Sequence, residues 1–233
     1  MLILGLNTYH GDASACIIKN GKLITAIEEE RFTRIKHTAG FPIQAIKSCL
    51  LQADVKIDDI DYITINRNPS LRAIKKIKYI IKKGVFINNI LNRFQNYRKI
   101  LNLESEIKKN FFFKKNLKNK IHYIDHHLSH AASSVLSSGF QDTCYITLDG
   151  FGDFTSTTIG IYENKKFSQL KEVNFPHSIG IFYTMMTQYL GFKNYGDEYK
   201  VMGLSAYGKP IYKDKIYKLI NFSKKDLFQL NLK

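Results

Sequence analysis

The first 66 residues constrain the fold most tightly, because short apolar runs alternate there with turn signals at a spacing that suits strands. Residues 2–8 form an apolar run closing on Asn7 and Thr8, a buried strand by length and flanks. Residues 15–19 and 22–28 are two further runs hinged on Asn20-Gly21, a pair that readily adopts the positive φ of a tight hairpin. Phe41-Pro42 then opens a helix, with proline where its missing N–H is an orphan donor anyway, and Ile43, Ile46, Cys49 and Leu50 share one face. An acidic turn at 58–61 leads into a fourth strand. The order β-β-β-α-β reads as one lobe of a nucleotide-handling α/β fold. Its first turn, His10-Gly11-Asp12-Ala13-Ser14, offers backbone amides and hydroxyls that suit a phosphate.

A second informative stretch runs from 125 to 153. Three of the seven histidines fall within five residues, His126, His127 and His130, after a short β-like run. The residues from Leu128 read as a helix closing at Gly139. His126 and His130, four apart, share a face of it and can converge on one ion, whereas His127 points elsewhere. The next strand, 143–148, is expected to deliver Asp149 into a turn carrying Gly150, Gly152 and Asp153. Two imidazoles and a carboxylate suit Fe(II), Zn(II) or Mn(II), and the glycines would let backbone amides approach an anion. Packed, hydrogen-bonded histidines without a metal are the plainer alternative, and His122 reads as structural.

Composition matters chiefly for where the charge lies. Of the net +15, the segment 70–120 holds 15 Lys and Arg against Glu104 and Glu106, whereas the rest of the chain is close to balanced. Apolar residues at Ile74, Ile77 and Ile81, and at Ile87, Ile90, Leu91 and Phe94, predict amphipathic helices there. The Lys-rich surface reads as solvated exterior, and the aromatics bunch at 111–113, so a nucleic-acid platform is disfavoured. Glu28 to His37 reads as a solvated connector, and the last twenty residues as amphipathic helix and Lys-rich tail. Three cysteines without CxxC spacing argue against a disulfide framework. With no signal peptide and no long apolar run, the expectation is a cytoplasmic protein without a membrane span.

Five segments together resemble a known family: Gly5-Leu-Asn-Thr-Tyr-His-Gly-Asp-Ala-Ser-Ala15, Glu28-Glu-Glu-Arg-Phe-Thr-Arg-Ile-Lys-His37, Asp125-His-His-Leu-Ser-His-Ala131, Leu148-Asp-Gly-Phe-Gly152 and Gly196-Asp-Glu-Tyr-Lys-Val-Met-Gly-Leu204. In order and content they are similar to the O-carbamoyltransferases of the nodulation and antibiotic-tailoring type. The resemblance implies an α/β, actin-like ATPase (ASKHA, Kae1-like) fold of ribonuclease-H-like lobes with mixed sheets. Residues 1–138 would be a first lobe with a basic helical insertion at 68–119, and 139–233 the start of a second. Its C-terminal part and a YrdC-like domain would lie beyond this sequence, on a separate chain if the enzyme is split.

The implied chemistry uses ATP and carbamoyl phosphate to make carbamoyl-adenylate, then passes the carbamoyl group to a hydroxyl of a small molecule such as a sugar or natural product. Carried over by motif, His126, His130 and Asp149 become ligands of Fe(II) or another divalent metal, with Mg(II) also admitted. His10 becomes the base for the acceptor hydroxyl. Gly150, Gly152, Asp153 and Ser14 face the nucleotide, and Asp197 and Lys200 the acceptor. Asp153 departs from the family, which usually has Glu there. A tRNA threonylcarbamoyl transferase, or an inactive remnant that binds nucleotide or metal, is the alternative reading.

Overall fold

In the computed structural model, strands β1 (Leu2–Asn7), β2 (Ser14–Lys19) and β3 (Lys22–Glu28) form the expected antiparallel meander. Its second turn carries φ of 51° at Asn20 and 81° at Gly21, the left-handed pair a tight hairpin needs. The structure describes residues 1–83, 102–112, 117, 119–224 and 226–232. These pack as two compact units, 1–124 and 125–233. The sequence placed a lobe boundary one helix later, after residue 138. Helix 126–138 packs within the second unit because its Ala131 and Val135 bury against Tyr145 of the strand that follows it.

The first unit is a five-stranded sheet of order β3-β2-β1-β4-β5, in which β4 (Tyr62–Ile65) and β5 (Ile121–Tyr123) run parallel to β1. One antiparallel meander extended by two parallel strands is the ribonuclease-H-like arrangement. Period-two alternation sets the register: Leu4 faces Ile17 and lies beside Ile63, and Leu6 faces Ala15 and lies beside Ile65. Helix α1 (Glu30–Thr33) is a single turn, and helix α2 (Ile43–Gln52) closes the core with Ala45, Ile46 and Cys49. Burial of side chains such as Ile63 and Ile65 contributes about 1.5–3 kcal/mol each.

The 68–119 segment is not wholly an appendage. Helix α3 (Ala73–Lys83) does expose Ile74, Ile77 and Ile81. In helix α4 (Leu103–Phe111), however, Leu103 and Ile107 stand one turn apart and are fully buried in the core, as is Leu117. The expected helix around 87–94, and Phe113, lie outside the described residues.

The stretch from Glu28 to His37 also departs from its reading as a solvated connector. Glu29 is buried, and its carboxylate accepts the Gln44 and Ala45 backbone N–H groups at 3.1 and 2.7 Å, capping α2 from a distance in sequence. Its own N–H donates to the Ala13 carbonyl at 2.8 Å, tying the cap to the His10 turn. Glu29→Ala is expected to lower stability by about 1–3 kcal/mol, because two helix-end donors, one of them buried, lose their acceptor. Urea denaturation measures it.

In the second unit, helix α5 (His126–Ser138) precedes a meander of β6 (Thr143–Gly152), β7 (Thr155–Glu163) and β8 (Lys166–Asn174), in the order β6-β7-β8. Helices α6 (Ile179–Tyr189), α7 (Glu198–Leu204) and α8 (Lys213–Tyr217) follow. Gly191, at φ 98°, lies just past α6, as expected for a helix-terminating glycine. The C-terminal residues differ from the expected amphipathic helix and Lys-rich tail. After α8 they form the hairpin β9 (Ile220–Ser223) and β10 (Leu227–Leu230), because Ile220, Phe222, Phe228 and Leu230 alternate with polar residues. None of the helices described is long and apolar enough to cross a membrane.

His177 holds this hairpin, accepting the Leu230 N–H on Nδ1 at 3.1 Å. Burial lowers its pKa from the ordinary 6.5. The unfolded chain therefore takes the proton first as pH falls, so this anchorage is complete above about 6.5 and lost as pH drops through the lower folded value. Faster amide exchange at 220–230 is expected at pH 5.5 than at 7.5, after correction for intrinsic rates. His177→Gln should flatten that dependence.

Candidate metal centre

Helix α5 begins where two carboxylates meet its unpaired amides. Asp125, the N-cap, accepts the Leu128 N–H at 2.9 Å, and Asp153 accepts the His126 N–H at 3.0 Å. The first turn of the helix is thereby locked to the β6–β7 connection. His126 and His130 then project from one face. His126 Nε2 lies 2.7 Å from Asp149 Oδ2 and 3.0 Å from His130 Nε2, and His130 Nε2 lies 3.8 Å from the same carboxylate oxygen. Donor atoms bound to a common ion at about 2.0–2.2 Å stand about 3–3.5 Å apart in octahedral or tetrahedral geometry. The three separations here, 2.7, 3.0 and 3.8 Å, bracket that range.

The chemistry of the donor set agrees. Two imidazole nitrogens at 3.0 Å attract only if one carries a proton; a cation at their focus replaces it and uses both lone pairs. The Asp149 carboxyl is held far below the usual carboxylate range, chiefly by its hydrogen bond to His126 and then by that to His130. It therefore presents a charged oxygen. Its second oxygen, Oδ1, accepts the Gly150 N–H at 2.6 Å, so Oδ2 alone is aimed at the histidines. The site grades from a buried His126 to a half-exposed His130, which leaves one side open to solvent.

Supporting contacts fix the strand end. Ser178, fully buried at the N-cap of α6, donates its hydroxyl to the carbonyls of Asp149 and Gly150 at 3.1 and 2.7 Å. Gly180 lets α6 approach so closely that a Cβ there would sit 2.7 Å from the Asp149 carbonyl oxygen. His127 turns the other way, as expected. Its Nε2–H donates to the Thr155 carbonyl at 2.9 Å, and its Nδ1 accepts from the Thr147 hydroxyl at 2.7 Å. Burial lowers its pKa, in keeping with a neutral structural ring.

The glycine-bearing turn differs from its expected form. Gly150 and Gly152 lie within β6, and the reversal is made by Asp153 and Phe154 at φ of 51° and 77°. Gly152 is needed for a different reason. A Cβ there would come 1.9 Å from His126 Cδ2, so its hydrogen side chain makes the room in which the imidazole sits. Asp153 commits an oxygen to the helix end. Each of the three residues thus has a structural task beside the His126–His130–Asp149 cluster.

The remaining sequence-derived residues lie elsewhere. His10, half-buried in the first unit, has Nδ1 3.3 Å from the Gly11 carbonyl, which puts the proton on Nδ1 and makes Nε2 the basic nitrogen. Its turn is braced by Asn7, whose amide donates to the carbonyls of Gly11 and Asp12, and by Tyr9 N–H to Gly40 and Ala13 N–H to Thr38. One backbone amide of the His10–Ser14 turn, that of Ala13, is therefore already used. Ser14 opens β2 and pairs in register with Asn7 and Glu28. Asp197 is buried and meets Lys200 at 2.7 Å while accepting the Asn194 N–H at 3.0 Å, so these two candidates for the acceptor pair with each other.

The sequence reading passed over a second cluster, Asp12, Glu30 and His37. His37 Nδ1 lies 2.8 Å from Asp12, and the His37 N–H donates to Glu30 at 2.9 Å. These bonds brace the same turn. Nothing in the residue spacing signalled them, since Asp12 and His37 stand 25 apart.

A family model described as carbamoyltransferase N-terminus matches residues 2–233. The uncharacterised protein sll1178 of Synechocystis is 34% identical over 240 residues, covering 99% of this chain and 38% of its own length. The nodulation protein NolNO of Sinorhizobium fredii is 33% identical over 212 residues, covering 88% of this chain and 29% of its own. An uncharacterised Methanocaldococcus jannaschii protein, MJ1051, is 32% identical over 206 residues, covering 88% and 33%. The chain thus spans about a third of the length of these relatives. Among solved structures, YeaZ from Pseudomonas aeruginosa is similar at a TM-score of 0.39 and 12% identity, covering 75% of this chain and 67% of that one. At that overlap the strand order, not the superposition, defines the fold.

Proposed function

Since the chain belongs to the carbamoyltransferase N-terminus family, we propose that it is the metal-holding part of an ATP-dependent O-carbamoyltransferase. The reaction would move a carbamoyl group from carbamoyl phosphate, by way of carbamoyl-adenylate, to the hydroxyl of a small molecule. The observation that carries this reading is the convergence of His126, His130 and Asp149.

Those three residues would hold a divalent cation such as Fe(II). When bound, the ion would supply positive charge that offsets the charge growing on a departing phosphate. His10 would act on the acceptor. Its basic Nε2 takes the hydroxyl proton as the oxygen forms its bond to the carbamoyl carbon, and the phosphate oxygen of AMP leaves with the electron pair of the broken bond. An imidazole titrating near neutrality suits that task. The Asp125 and Asp153 contacts at the helix end, with Ser178 and Gly180 behind Asp149, would hold the donors in place before an ion arrives.

The test is direct. Calorimetric titration with Fe(II) under anaerobic conditions, with metal analysis, is expected to give one ion per chain. His130→Ala should weaken binding by about 100-fold or more. The ring is half-exposed and alanine favours helix, so the variant is expected to fold. Full occupancy in His130→Ala would overturn the ligand assignment.

A further inference from the structure

The two described helices of the 68–119 segment treat their apolar faces in opposite ways. Helix α4 buries Leu103 and Ile107 in the core, and its other side carries both signs of charge, Glu104 and Glu106 with Lys108 and Lys109. In helix α3, Ile74, Ile77 and Ile81 fall at spacings of three and four, which puts them on one stripe. That stripe faces outward, with the three isoleucines 70%, 56% and 77% exposed. Tyr79 and Ile80 are partly buried, so the stripe is the part of the helix left uncovered.

Lysines border the stripe on both flanks. At about 100° per residue, Lys78 falls beside Ile74 and Ile81, and Lys76 lies beyond Ile80 on the opposite flank. Lys75 and Lys78 are exposed. Lys76 donates from Nζ to the Pro69 carbonyl at 3.0 Å, across the start of the helix. From Tyr62 to Leu103 the sequence holds ten Lys and Arg and no Asp or Glu. No acidic side chain of that segment offsets the charge.

An apolar stripe bordered by cations selects among anionic partners. Nucleic acid would use the charge, but its hydrated phosphate backbone offers nothing to a row of isoleucines. A bilayer surface uses both features. Isoleucines enter the boundary between headgroups and acyl chains, and lysine stems lie along it while their ammonium groups stay at the phosphates. With 11 residues, α3 is about 16 Å long, half of what a crossing needs, so it would lie flat.

We propose that α3 docks the protein on a membrane surface rich in anionic phospholipid, with Ile74, Ile77 and Ile81 inserted and Lys75 and Lys78 among the headgroups. The inference stands on the exposure and charge of one helix and is independent of the proposed metal chemistry.

The full chain is tested by co-sedimentation with vesicles. Those of equal parts phosphatidylcholine and phosphatidylglycerol are expected to retain about tenfold more protein than phosphatidylcholine alone, and added salt should reduce that retention. The chain contains no tryptophan, so Ile77→Trp supplies a single reporter at an exposed position. Its fluorescence should shift to the blue on the mixed vesicles and stay unchanged on the neutral ones. The triple variant Ile74→Gln, Ile77→Gln, Ile81→Gln keeps every charge and should melt like the parent, because all three side chains are already exposed. It is expected to lose about tenfold in retention, as is Lys75→Gln with Lys78→Gln. Equal retention on both vesicles, no blue shift, or parental retention of the triple variant would each overturn the proposal. Binding of tRNA without binding of vesicles would also overturn it, and would make α3 a nucleic-acid surface.

Discussion

Gly152→Ala is expected to remove divalent-metal binding as thoroughly as deletion of a donor, although it alters none. A methyl group at 152 would lie 1.9 Å from Cδ2 and 2.2 Å from Cγ of His126. The ring cannot simply step aside, because its backbone N–H is held by Asp153 and its Nε2 by Asp149. Relief must come from rotating His126 away from Asp149 or from parting helix α5 from β6. Overpacking of this kind costs about 1–3 kcal/mol, and a displaced donor lowers affinity by about 100-fold or more. Metal titration and thermal unfolding read the two effects. The control is Gly150→Ala, whose methyl would meet Ile181 at an ordinary 3.5 Å and should bind metal like the parent. Parental affinity in Gly152→Ala would show that His126 is not held where the centre requires it.

Gly160→Ala is expected to be the most destabilising single methyl in the second unit. Strand β7 is the middle strand of its sheet, and the Tyr145 ring lies over residue 160 from the paired position on β6. A Cβ there would sit 2.3 Å from the tyrosine ring terminus and 2.5 Å from the Ser168 carbonyl oxygen. The aromatic could rotate, but the neighbouring backbone cannot yield without breaking the β7–β8 ladder. A loss of about 2–4 kcal/mol is expected, or failure of the sheet to form. Amide exchange across 143–174 measures it. Protection matching the parent would overturn the reading of this glycine.

Much of the fold was legible because it rests on local chemistry. Asn20-Gly21 specifies its turn through two positive φ values, and alternation at Leu4, Leu6, Ile63 and Ile65 sets the buried face of the sheet. The convergence of His126 and His130 was legible for the same reason, since a spacing of four on a helix puts the two rings side by side. What the sequence hid were contacts between residues far apart. Glu29 looked like one charge in a charged run, yet it caps a helix whose first amides are 15 and 16 residues away. Gly150 and Gly152 looked like turn glycines because Asp-Gly usually marks a reversal. Only the approach of His126 reveals why residue 152 has no side chain. The C-terminal hairpin was missed because each of its strands is only four residues long, too short for a period-two pattern to stand out.

The candidate metal donors are also close along the chain, with His126 and Asp149 separated by 23 residues. The backbone bond from Asp61 to Leu2 at the β1–β4 junction spans 59 residues. Closing a shorter loop costs less chain entropy, and contacts of low sequence separation form sooner. The helix and hairpin that carry the donors can therefore assemble before the five-stranded sheet does. An ion present during refolding would then act as an early staple, raising the folding rate of residues 125–174 and leaving that of the first sheet unchanged.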